Sequence, residues 1–105
     1  MESSFSVKLE DKTVVINLEG RLDTTNAPLL SEEVGKLIGQ PISRIVFMMK
    51  NLEYISSAGL RVIVFAKQKL GVDTKVFVIA PQPDVLDVIK MTGFDSFLTI
   101  QDSYE

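Results

Sequence analysis

The chain has 105 residues and a formal net charge of -3, enough length to bury roughly two-thirds of its unfolded surface without a metal or disulfide to hold it. It contains no cysteine and no histidine, which excludes disulfides, thiolate and imidazole metal sites and Ser-His-Asp catalysis. No apolar run approaches the ~20 residues of a membrane span, no basic run offers a footprint for nucleic acid or anionic lipid, and Met1-Glu2-Ser3-Ser4 lacks the start of a secretion signal. The expectation is one domain over residues 1–105, cytoplasmic, with no cofactor, no metal, no nucleic-acid partner and no membrane contact.

Phe5, Val7 and Leu9 alternate with polar residues, as do Val14, Ile16 and Leu18, and Glu10-Asp11-Lys12 interrupts them. That pattern predicts a hairpin with one buried face, closed at Gly20. Asp23-Thr24-Thr25-Asn26 then supplies N-cap candidates ahead of Pro28, a residue tolerated in the first helical turn. Leu30, Val34, Leu37 and Ile38 share one face of the helix that follows, and Gly39-Gln40-Pro41 stops it.

The unbroken apolar run Ile45-Val46-Phe47-Met48-Met49 predicts a central strand buried on both faces, in a sheet that carries helices. Leu60, Ile63, Ala66 and Leu70 recur at helical spacing, with Lys67 and Lys69 near the end and Gly71 as the stop. Lys75 to Ala80 reads as another strand. Pro81-Gln82-Pro83-Asp84 opens a third helix through Val85, Leu86 and Ile89 to Gly93, and Phe97 to Ile100 reads as a short edge strand. Met48, Met49 and Met91 read as core filler, Phe94 and Phe97 as closing the core near the third helix, and the last residues as fraying. The order β-β-α-β-α-β-α-β is a layered α/β domain with a mixed sheet of four to five strands.

Function is expected at the strand-to-helix junction Tyr54-Ile55-Ser56-Ser57-Ala58-Gly59-Leu60-Arg61. Ser57 falls at or next to the N-cap, where free N–H groups and the positive end of the helix dipole favour negative charge, so it is a candidate phosphate carrier. In an open sheet the loops leaving the carboxyl ends of parallel strands gather at one edge, which adds Arg21-Leu22-Asp23-Thr24-Thr25 to the same region. The simpler reading makes Ser57 and Asp23 helix caps, each contributing roughly 1 kcal/mol.

At these residues the sequence resembles the bacterial anti-sigma factor antagonists, which are single STAS domains. The resemblance covers nearly the whole chain and rests on Gly20-Arg21-Leu22-Asp23, the apolar strand and the serine junction. The family pattern is Asp-Ser-Ser/Thr-Gly-Leu, with the serine after the aspartate phosphorylated by the anti-sigma factor, a serine kinase with a histidine-kinase-like ATPase fold. That serine aligns with Ser57. Here Ser56 occupies the aspartate position and Ala58 the second hydroxyl position, so Ser56 is a rival acceptor. The resemblance implies a non-enzymatic module whose surface of Asp23, Thr24, Ser56, Ser57, Ala58, Gly59, Leu60 and Arg61 binds the kinase and releases a sigma factor, and the sequence, with no long heptad repeat, adds the expectation of a monomer. Phosphorylation would switch binding off and a metal-dependent serine phosphatase would reset it.

Three other readings stand beside this one. A STAS-type sensor of a small ligand or nucleotide would use the same loop edge, although no Gly-x-x-x-x-Gly-Lys-Ser/Thr loop is present, and a partner switch could serve a non-transcriptional output. A serine hydrolase built on Ser57 lacks both histidine and a Gly-x-Ser-x-Gly elbow.

Overall fold

A computed structural model describes residues 3–71 and 73–104, so Met1 and Glu2, read above for targeting, lie outside it. Strands β1 (Ser4–Glu10) and β2 (Thr13–Leu22) form the hairpin, followed by α1 (Ala27–Gly35), β3 (Arg44–Ile55), α2 (Ser57–Leu70), β4 (Lys75–Ile79), α3 (Pro83–Met91), a 3-10 turn (Phe94–Phe97) and β5 (Thr99–Gln101). The sheet order is β1-β2-β3-β4-β5. β1 runs antiparallel to β2, and β2 to β5 run parallel to one another.

Each helix therefore connects a strand to its immediate neighbour, always in the same direction across the sheet. Right-handed crossovers of that kind put all the helices on one face. The packing agrees. In register, Val14, Ile45 and Val76 form one buried row and Ile16, Phe47 and Val78 the next. These rows join a single core with Leu30 and Val34 of α1, Leu60, Ile63 and Ala66 of α2, and Val85 and Ile89 of α3. Burial of each large side chain there contributes about 1.5–3 kcal/mol.

β3 is central and buried on both faces, as its unbroken apolar run requires, but only one face carries helices. On the other, Val46 lies beside Phe77 and Met48 beside Ile79. Tyr104 packs edge-on against Phe77 with ring centroids 5.3 Å apart, and its hydroxyl accepts a hydrogen bond of 3.2 Å from Arg44. The end of the chain is thus held down as far as Tyr104 rather than fraying.

β3 also runs six residues past the apolar stretch. Its pairing with β2 slips twice: Asn17 faces Met48 but Glu19 faces Asn51, and Gly20 faces Leu52 but Arg21 faces Tyr54. Each slip is a bulge that inserts one extra residue into β3 and resets which side chain faces the core. The positions facing the helix-side core accordingly fall at Ile45, Phe47 and Met49, then at Leu52 and Ile55. β2 continues to Leu22 beyond Gly20, whose φ of +76° at the second slip is a conformation that glycine adopts without strain.

Several outer positions differ from expectation. Leu9 is 45% exposed, because β1 is an edge strand with a neighbour on one side only. α1 ends at Gly35 and gives way to turns, so Leu37 stays buried while Ile38 leaves the helical phase and is exposed. Phe97 and Met91 are 64% and 86% exposed; the 3-10 turn brings Phe94 against the core and carries Phe97 outward, and Met91 sits at the outer end of α3. β5 is correspondingly shorter, at Thr99–Gln101.

Candidate functional site

The carboxyl ends of β2 and β3 lie side by side, tied by a 2.8 Å hydrogen bond from the Ser56 amide to the Leu22 carbonyl. That bond fixes the two loops of interest against each other.

The first loop is ordered by its own polar side chains. The Asn26 carbonyl oxygen accepts from the Asp23 amide at 2.8 Å, and its amide nitrogen donates to the Arg21 carbonyl at 2.7 Å. Asp23 Oδ1 accepts from the Thr25 amide at 3.0 Å, an Asx turn, and the Ala27 amide closes onto the Asp23 carbonyl at 2.8 Å. Asp23 is therefore not a helix cap. Asn26 occupies that position, yet its side chain is committed backwards to the loop. Arg21 stacks over the Tyr54 ring, 4.1 Å from its centroid, and its Nε lies 3.7 Å from Asp23 Oδ2. Thr24 is exposed at the loop's tip.

The second loop resolves the two serines into different roles. Ser56 is the N-cap: its backbone is extended (φ -89°, ψ 171°), its Oγ accepts from the Gly59 amide at 3.2 Å, and its carbonyl receives the first helical bond from Leu60. The capping role considered for Ser57 thus belongs to its neighbour. Ser57 is the first helical residue, exposed, and its hydroxyl has no hydrogen-bond partner among the described residues. In the first turn beyond it the Gly59 amide is taken by the Ser56 cap, while the Ala58 amide precedes the first helical bond, and the positive end of the helix dipole falls here.

Gly59 explains why this turn sits so close to β2. A Cβ there would lie 2.8 Å from both Leu22 Cγ and the Leu22 carbonyl oxygen and 3.0 Å from Ile55 Cγ1. Only a residue without a side chain lets α2 start against the strand ends. Leu60 is buried and belongs to the core, so among the expected docking residues it acts from beneath the surface, as does Gly59. Ala58 is half-buried and Arg61 exposed; both line a shallow groove of about 260 Å³ between α1 and α2, with Ala27, Pro28, Ser31 and Phe65. α2 carries Arg61, Lys67 and Lys69 and no acidic residue.

The sequence reading missed the pairing of Arg21 with Tyr54 and the clamp made by Asn26. All three residues lie in segments singled out from the sequence, but their partners are set by strand register and loop closure. Among the described residues no group of three or more Asp or Glu side chains could hold a metal ion, and no helix is long and apolar enough to cross a membrane.

Residues 4–105 match the model of the STAS domain. The chain belongs to the STAS domain family. It is 32% identical over 96 residues to BtrV, a candidate anti-sigma factor antagonist of Bordetella bronchiseptica, an alignment covering 90% of this chain and 83% of that one. Its fold is similar to the crystal structure of an anti-sigma factor antagonist from Mycobacterium paratuberculosis, with a TM-score of 0.85, 24% identity and coverage of 97% and 87%. It is also similar to the phosphorylated form of the Bacillus cell fate determinant SpoIIAA, with a TM-score of 0.76, 20% identity and coverage of 97% and 93%. Within this STAS chain, the ordered Asp23 loop, the exposed Ser57 and the groove beside Arg61 form one continuous edge.

Proposed function

We propose that this STAS domain is an anti-sigma factor antagonist: a binding module, not an enzyme, that docks on an anti-sigma factor with serine kinase activity and releases its sigma factor. The observation that carries this reading is the exposed, unbonded hydroxyl of Ser57 beside a loop pre-ordered by Asn26. The kinship with BtrV supports it.

The switch follows from charge. The kinase transfers the γ-phosphoryl of ATP to Ser57 Oγ; the P–O bond to ADP breaks, and the hydroxyl proton leaves with the partner's base. The product carries about -1.5 to -2 at neutral pH. Set in the middle of a docking surface that already holds Asp23, that charge meets desolvation and like-charge repulsion, and the complex dissociates. A loss of ~1.4 kcal/mol weakens affinity tenfold, so no refolding is needed. Hydrolysis by a metal-dependent serine phosphatase restores the hydroxyl. Ser56 serves poorly as acceptor, because its Oγ caps the helix and is half-buried.

The test is titration of the cognate kinase with the native chain, Ser57→Ala and Ser57→Asp, alongside phosphopeptide mapping after incubation with ATP. We expect phosphate on Ser57, near-native binding by Ser57→Ala and a loss of at least tenfold for Ser57→Asp. Equal affinities for the two variants would end this reading.

A further inference from the structure

Ser57 and Arg61 stand four residues apart in the first turns of α2, and both are exposed. Residues at that spacing lie on one face of a helix, and helical side chains lean toward the amino terminus, so the Arg61 guanidinium, at the groove beside Ala58, is within reach of the turn that begins at Ser57. Arg61 makes no salt bridge and no side-chain hydrogen bond among the described residues. The other arginine of this edge is engaged, stacked on Tyr54 and facing Asp23. α2 bears no acidic side chain that would compete for the guanidinium.

We propose that Arg61 clamps a phosphate on Ser57 in cis, an inference that rests on Ser57 being the modified residue. A guanidinium presents a planar fork of donors that fits phosphate oxygens, and a charge-assisted bond of this kind is roughly twice as strong as a neutral one. The pair changes what modification does to the docking edge. It adds an anion and in the same step withdraws the one cation of the α1/α2 groove, so an acidic patch on the partner loses its counter-charge. The net charge presented falls from +1 to between about -0.5 and -1. The clamp also adds to the helix dipole in holding the phosphate, so the released form is the more ordered one at this turn.

The experiment installs phosphoserine at position 57 of the full chain during synthesis, with Arg61 native, Arg61→Gln or Arg61→Lys. We expect the Arg61 Nε–H NMR resonance to move downfield when position 57 is phosphorylated. We also expect phosphorylation to raise the melting temperature of the native chain more than that of Arg61→Gln, with Arg61→Lys between them. An unmoved resonance, or the same thermal gain in Arg61→Gln, overturns the clamp. Because no kinase is involved, the result is separable from the functional reading: a chain that forms the pair but that no cognate kinase modifies keeps the clamp and loses the proposed switch.

Discussion

Arg21 and Tyr54 face each other across the β2–β3 ladder only because Glu53 bulges out of β3, which brings the guanidinium to 4.1 Å from the ring centroid. The contact holds Arg21 over β3 and within 3.7 Å of Asp23, so a strand irregularity shapes the charge pattern of the proposed docking edge.

Removing the ring tests that relationship. Tyr54→Ala should cost about 0.5–1 kcal/mol of stability, the scale of an exposed cation–π pair, measured as a lower urea midpoint with an unchanged slope. Partner affinity should fall by more than stability does, because Arg21 and Asp23 lose their fixed geometry. A variant that binds as tightly as the native chain would show the stack to be structural only.

The two serines should separate cleanly. Ser56→Ala removes the cap of α2 and should destabilise by about 1 kcal/mol while leaving Ser57 open to phosphorylation. Ser57→Ala should change stability by less than about 0.5 kcal/mol, since the hydroxyl makes no hydrogen bond, yet abolish modification. Denaturant midpoints and phosphopeptide mapping on both variants give the comparison.

Two glycines should respond with opposite signs. Gly59→Ala drives a Cβ into Leu22 and should cost about 1–3 kcal/mol, with α2 pushed off the strand ends and partner binding weakened. Gly35→Ala closes α1, where nothing lies within 4 Å of the new atom, and should stabilise by up to about 1 kcal/mol. Parallel urea titrations suffice to read the signs.

Asn26 is the residue on which the first loop depends. Asn26→Ala leaves the Asp23 amide and the Arg21 carbonyl without side-chain partners and should cost about 1–2 kcal/mol. Asn26→Asp keeps the acceptor but not the donor, and should fall between native and alanine. Faster amide hydrogen exchange at Asp23, confined to this loop, would locate the effect.

Much of the fold was legible because burial imposes periods. The alternation of Val14, Ile16 and Leu18 marks β2, the spacing of Leu60, Ile63 and Ala66 marks α2, and Gly71, at φ +100°, stops that helix. The length of β3 was hidden because two bulges break its period: Met49, Leu52 and Ile55 are three apart, a spacing that suggests no strand. Phe97 and Met91 read as core residues by composition alone, yet the turn after α3 faces them outward.

What the sequence determined by itself was local: which segments alternate or recur, where helices stop, that two serines end a strand, and that no histidine or cysteine chemistry exists. What only the tertiary structure decided was pairing between distant segments. Register set Arg21 against Tyr54, loop closure turned Asn26 from cap to clamp, and the tie of Ser56 to Leu22 came with Ser56 capping α2 and Ser57 standing free. Local pattern is written in neighbouring residues. Non-local contact depends on strand register and on where a chain can close-pack, neither of which a run of residues contains.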